Sequence, residues 1–243
     1  RTPDAHFLTE VRYKGTKVVS VSPDYAESTT SSDAWLNVKA GTDAALAMAM
    51  GHVILKEYYI DKETPYFKEY AKEFTDMPFL VRVEDINGAV QPGRFLNAKD
   101  LGSKEDGADF QTVLIDETTN EIVVPNGTMG DRHTNPQKWN LRLENRNTGA
   151  KIDPRLSVFD QRQDVTVVKL PYFGDEEHEG VIERAIPTIT VQTVDGPVKV
   201  TTVYDLILAN YGIDRGIGGE VATSYTDDTP YTPTWQEKIT GVK

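Results

Sequence analysis

Val18-Val19-Ser20-Val21-Ser22-Pro23-Asp24, then Asp33-Ala34-Trp35-Leu36-Asn37-Val38, then Gly41-Thr42-Asp43-Ala44-Ala45-Leu46-Ala47-Met48-Ala49-Met50 is the stretch on which the fold turns. Val18, Val19 and Val21 make a short β-branched run closed by a turn-like Ser-Pro-Asp, the pattern expected at the C-terminal edge of a buried parallel strand. Open α/β sheets bind their ligands at that edge. A second short strand is expected over Asp33 to Val38, after which Gly41-Thr42-Asp43 leads into an almost wholly apolar helix reaching about Tyr59. Thr42 or Asp43 is placed to cap it.

Working outward, Pro65 stands at a tolerated first-turn position of a helix to about Phe74, with Tyr66, Phe67, Tyr70 and Phe74 at helical spacing. From Pro78 the pattern changes to short β runs separated by turns such as Asn87-Gly88, Asp106-Gly107 and Asn126-Gly127. Residues 112–116 and 121–124 are expected to form a hairpin. Strands are expected at 165–170, 186–193 and 198–202, the last two hinged on Asp195-Gly196. A short helix over 203–211 stops at Gly212, and a last one opens near Pro233 and ends at Gly241. The expected organisation is an α/β core over 1–84, a β-rich elaboration over 85–180, and a return to the core over 181–243.

Composition narrows the function. The chain of 243 residues has no cysteine, which excludes disulfides, Cys-ligated zinc or iron–sulfur clusters and thiol catalysis within it. A net charge of −12 and a pI near 4.8 argue against nucleic-acid binding through a broad basic face, so any phosphate would be held locally by backbone N–H groups. The apolar run Ala44 to Leu55 falls short of the roughly 18 to 20 residues of a membrane span, and direct membrane insertion is not expected. The chain opens Arg1-Thr2-Pro3 without Met and is expected to be a piece of a longer protein.

Among candidate site residues Asp43 is the sharpest. One ionised carboxylate accepts two parallel bonds from the N1–H and N2–H2 donors of guanine, whereas capping and a helix-dipole contact explain the same residue without a ligand. Ser22 and Asp24 follow the first strand, where dinucleotide folds place an acid on a ribose hydroxyl; a plain Ser-Pro-Asp turn is the alternative. The loop Gly216 to Gly219 has neither a strand before it nor a Lys after it in the phosphate-loop manner, and a flexible loop explains it. His6, His52, His133 and His178 show no metal-site spacing; His52 is expected as a core histidine. The run Asp175-Glu176-Glu177-His178-Glu179 is expected as a solvated acidic loop. No residues are assigned to catalysis or to a metal.

The three linked motifs, Lys17 to Asp24, Ser32 to Leu36 and Gly41 to Ala49, resemble the molybdopterin-binding oxidoreductases related to dimethyl sulfoxide reductase. Arg1 to Phe7, Ser22 to Glu27, Thr202-Val-Tyr-Asp-Leu, Leu208-Ala-Asn-Tyr-Gly212 and Tyr231 to Gly241 narrow the resemblance to catalytic α subunits of respiratory, membrane-bound nitrate reductases.

The resemblance implies a parallel-sheet dinucleotide-binding core with helices on both faces and a β-rich insertion. It implies a bis-molybdopterin guanine dinucleotide carrying molybdenum, with Asp43 and Thr42 toward guanine and Ser22 and Asp24 near ribose. Relatives with acid, Pro and Arg at the strand end differ from Ser22-Pro23-Asp24 here. The family's [4Fe-4S] segment and its molybdenum-ligating aspartate segment are expected upstream of Arg1, so this piece alone is not expected to reduce nitrate. Also implied are an iron–sulfur β subunit, a membrane γ subunit, electrons from the quinol pool, and a peripheral place at the cytoplasmic face of the cell membrane. Two rival readings remain: a non-catalytic α/β scaffold domain, and a different molybdopterin oxidoreductase such as a formate-dehydrogenase-like enzyme.

Overall fold

The computed structural model describes residues 2–26, 29–127, 142–172 and 180–243. His133 and the acidic run at 175–179 lie outside the described residues. The chain divides into two units: Arg1–Val53 with Ala222–Lys243, and Ile54–Val221.

The first unit carries α1 (Thr2–Tyr13), β1 (Val19–Val21), β2 (Ala34–Leu36), most of α2 (Asp43–Ile54) and, last in the chain, α5 (Pro233–Thr240). β1 and β2 pair in parallel, Val19 opposite Ala34 and Val21 opposite Leu36. Asp33 fixes this start by accepting the Val18 N–H at 2.7 Å and the Arg12 guanidinium at 3.0 Å. The Val18 backbone bond and the Arg12 bond hold the Asp33 carboxyl below the usual carboxylate range. The expected burial of β1 is not met: Val19 is 56% and Val21 46% exposed, and among the described residues β1 pairs with β2 alone. α2 starts where expected and buries Ala45, Leu46, Ala49 and His52, while Met50 and Ile54 face solvent. His52 packs edge-on against Tyr225. Val38, Leu46 and Val242 form the apolar cluster behind the β2–α2 loop, with Leu36 beside it. α5 is bounded by the features read from the sequence: Thr232 accepts the Trp235 N–H, Pro233 opens the first turn, and Gly241 closes the helix at φ +79°.

In the second unit α2 passes into a π-helical segment, Leu55–Asp61, and α3 (Pro65–Phe74) follows. The rest is mainly β: β3 (Leu80–Ile86), β4 (Ala89–Phe95), β5 (Leu114–Ile115), β6 (Ile122–Val123), β7 (Pro125–Asn126), β8 (Arg142–Asn145), β9 (Asp164–Pro171), β10 (Val181–Thr193) and β11 (Gly196–Thr202), before α4 (Val203–Asn210). The largest sheet has the order β4-β3-β11-β10-β9 and is antiparallel throughout. Here the expectation of a parallel core is corrected: among the described residues only β1 and β2 pair in parallel. Turn chemistry is the reason. Asn87 (φ 57°) and Gly88 (φ 82°) supply the two positive-φ positions of a tight hairpin between β3 and β4, and Val194-Asp195 links Thr193 of β10 to Gly196 of β11, one residue before the expected Asp195-Gly196 hinge. The edge strands β4 and β9 approach each other, so the sheet curls around Leu80, Leu96, Val113, Val158, Val191 and Val200. Alternation follows the pleat: in β9 Val168 and Leu170 are buried and Val167 and Lys169 exposed. The β5–β6 hairpin forms as expected. No helix among the described residues is long and apolar enough to cross a membrane.

Candidate functional site

In a parallel pair both strands end on one edge. β1 hands on to Ser22-Pro23-Asp24 and β2 to the loop 37–42, with the Ser22 N–H bonded to the Leu36 carbonyl at 3.2 Å. The structure brings Ser22 and Asp24 together, the Ser22 hydroxyl donating to Asp24 Oδ1 at 3.0 Å. The Trp35 indole N–H donates to the Ser22 carbonyl at 2.9 Å and Tyr25 stands edge-on to the Trp35 ring, which pins the turn to β2.

Thr42 and Asp43 stand at the opening of α2. Gly41 reaches this corner at φ +80°, a conformation that glycine takes without strain. The Thr42 hydroxyl turns back to donate to the Lys39 carbonyl at 2.6 Å, so it does not serve as an ordinary N-cap acceptor. Asp43 is exposed and, among the described residues, its carboxylate has no hydrogen-bond or ion-pair partner. No hydrogen bond among the described residues joins the Ser22–Asp24 pair to the Thr42–Asp43 pair.

This arrangement has a definite chemical capacity. An anionic acceptor with all its lone pairs free, at the positive end of a helix, fits a neighbour that presents two parallel N–H donors, as a guanine edge does. Asp24 keeps acceptor capacity beyond its bond from Ser22 and can take a hydroxyl. These acceptors could receive bonds from the nucleotide part of a guanine-bearing cofactor; among the described residues no cluster of three or more His, Cys, Asp or Glu is arranged to hold a metal.

The second unit has its own cleft of about 500 Å³, lined by Tyr59, Tyr204, Arg155 and Arg215 among others. Burial pushes the Tyr204 phenol well above its ordinary range. Each cation on the cleft wall is already matched: Lys68 with Glu63, Lys72 with Asp153, Arg155 with Glu117 and Arg215 with Asp205. Asp205 is itself buried, accepting from Ser157 Oγ (2.6 Å), Val158 N (2.9 Å) and Thr202 Oγ1 (2.9 Å) as well as from Arg215. Sequence reading did not find this network, whose members lie 10 to 48 positions from Asp205 apart from the local Thr202 cap. The Gly216–Gly219 loop has a packing role: a Cβ on Gly219 would lie 2.7 Å from the Ala185 nitrogen, so the glycine lets the loop close on β10.

Comparison with known proteins bears on the first unit and the second alike. The family model described as molybdopterin oxidoreductase matches residues 1–208. The nitrate reductase alpha chain of Bacillus subtilis is 51% identical over all 243 residues, the respiratory nitrate reductase 1 alpha chain of Escherichia coli 46%, and the nitrate reductase alpha subunit of Mycobacterium tuberculosis 44%. Each match covers 100% of this chain and 20% of the relative, so the chain spans about one fifth of the length of these relatives. With more than four fifths of its residues inside one family model, the chain belongs to the molybdopterin oxidoreductase family.

Proposed function

We propose that this chain is a domain of the molybdenum-containing catalytic subunit of a respiratory nitrate reductase and that it forms one wall of the pocket for bis-molybdopterin guanine dinucleotide. The observation that carries the reading is the match to nitrate reductase alpha chains from end to end of the chain at 44 to 51% identity.

In this reading residues 1–84 and 181–243 contribute to a dinucleotide-binding α/β core, which the remainder of the subunit extends around the β1–β2 pair, and 85–180 is an elaboration. Asp43 accepts the guanine N1–H and N2–H2, Thr42 orders the corner, and Ser22 with Asp24 faces the ribose. The exposed flank of β1 supports the extension, since parallel strands are stable when covered on both faces. When bound, the molybdenum–pterin group supplies the redox chemistry, two electrons and two protons converting nitrate to nitrite and water. In this reading the residues of this chain bind and orient the cofactor. A [4Fe-4S] centre in another segment, an iron–sulfur β subunit and a membrane γ subunit carry electrons from quinol, which places the domain at the cytoplasmic face through its partners.

The test is made on the full-length subunit that carries this segment. Purified protein should release GMP on acid hydrolysis along with molybdenum, and should form nitrite from nitrate with a dye reductant. Molybdenum without GMP refutes the guanine dinucleotide, and GMP with no nitrite formed refutes the substrate.

A further inference from the structure

We infer that the end of α5, through Gln236, Thr240 and Val242, is the positioning element for the corner that reads guanine. The inference rests on the guanine reading above and concerns what holds Asp43 in place. The loop 37–42 is exposed except at Val38 and Thr42, so it keeps a single shape only through a few ties. Those ties converge on Lys39. Its carbonyl accepts the Thr42 N–H at 3.2 Å and the Thr42 hydroxyl at 2.6 Å, and its own N–H donates to the Thr240 carbonyl at 3.0 Å. One residue before it, Val38 is buried against Leu46 and Val242. The corner is thus bonded to a segment about 200 positions away, and Asp43 is the next residue after the last bond.

On the α5 side the tie is built from buried polar groups. Thr240 is fully buried; its hydroxyl donates to Gln236 Oε1 at 2.7 Å and accepts the Val242 N–H at 3.0 Å. The Gln236 amide donates in turn to the Val242 carbonyl at 2.7 Å. Gly241 alone, with its left-handed conformation and its N–H on the Glu237 carbonyl, suffices to end the helix. The closed ring of Gln236, Thr240 and Val242 adds desolvation cost without adding to that cap. What it does fix is the direction of the Thr240 carbonyl and of the Val242 side chain, the two groups that meet Lys39 and Val38. A carboxylate reading two parallel donors depends on its in-plane alignment, so a loosened loop loses affinity before the fold is lost.

The experiment compares Thr240→Val, which keeps the shape and removes the hydroxyl, with Thr240→Ser, which keeps the hydroxyl, in the full-length subunit that carries this segment, prepared free of cofactor. GMP affinity is titrated well below each unfolding midpoint, and amide exchange at Lys39 and Thr42 is followed in parallel. Thr240→Val should weaken GMP about tenfold, the scale of one buried hydrogen bond, and speed exchange at Lys39, while Thr240→Ser stays near wild type. Should Thr240→Val not fold, Val242→Ala, which leaves the polar ring in place and thins the contact on Val38, should give a smaller loss in the same direction. A folded variant whose GMP affinity is unchanged, whether or not exchange speeds up, overturns the positioning role. Absence of GMP binding by the wild-type cofactor-free subunit overturns the guanine reading and this inference with it, and is seen before any variant is made.

Discussion

Replacing Asp43 separates a ligand-reading acid from a helix cap, because the structure gives the two roles very different magnitudes. As a reader, the carboxylate makes two charge-assisted bonds to guanine, each worth about 1.5 kcal/mol at the lower end suited to a solvent-facing group. Their loss amounts to about 3 kcal/mol, or a rise in Kd of about a hundredfold. As part of the fold, Asp43 has no side-chain partner among the described residues, which leaves only its favourable contact with the helix dipole, about 0.3 to 1 kcal/mol. For a chain of this length that corresponds to a fall in Tm of roughly 1 to 4 °C. Asp43→Ala should therefore nearly abolish GMP binding with little change in thermal unfolding. Asp43→Asn should do the same, because its amide nitrogen presents donors where guanine also presents donors. Titration calorimetry with GMP and with AMP, paired with circular dichroism melts, reads both quantities. Wild-type chain should prefer GMP, and Asp43→Ala should lose the preference. Equal GMP affinity in wild type and Asp43→Ala would refute the guanine role, and so would equal affinity of the wild type for GMP and AMP.

Other perturbations probe the frame of the second unit. Asp205→Ala strands the Arg215 guanidinium, whose side chain is 12% exposed, and should cost about 3 to 5 kcal/mol in calorimetric melts. Adding Arg215→Met should recover part of the loss, and strict additivity of the two changes would argue against the ion pair. Gly219→Ala combines φ +89° with a Cβ 2.7 Å from the Ala185 nitrogen, so a loss of about 1 to 3 kcal/mol is expected in urea unfolding; an unchanged midpoint would mean the loop shifts freely. The Arg94 hydrogen bonds hold the Asp100 carboxyl below the ordinary carboxylate range, aided by the Asn97 N–H. A depressed folded value means that this stability is complete above the unfolded value near pH 4 and is lost as pH falls through the folded one. Urea midpoints should thus decline below about pH 4, and Asp100→Asn should flatten that decline; parallel curves would rule Asp100 out as its source.

Local chemistry was the legible part of this sequence. Pro65, Gly241, Asn87-Gly88 and Asp195-Gly196 each impose a backbone conformation on their own neighbourhood, and α3, the end of α5 and two hairpins fall where those residues put them. The candidate corner was legible for the same reason, since Gly41-Thr42-Asp43 is a short-range signal. The parallel core implied by the family resemblance is met among the described residues at β1 and β2 alone, whereas the hairpins expected from local turn residues form as antiparallel pairs. Burial of β1 was misjudged on a different ground: Val19 and Val21 have the composition of a covered strand, and composition does not say which chain does the covering. The ring joining Gln236, Thr240 and Val242 to Lys39 left no trace in spacing, because backbone acceptors carry no residue-type signature.

The division of the chain sets an order of assembly. The first unit is discontinuous, with residues 54–221 threaded between its two parts. Val38 and Leu46 are synthesised early, yet the residue that completes their cluster, Val242, leaves the ribosome about 200 residues later. At typical translation rates that is a wait of roughly 10 to 40 s, long enough for the intervening unit to fold. Until then the Lys39 N–H has no Thr240 carbonyl to meet, so the corner before Asp43 takes its final shape only after residues 54–221 have been made.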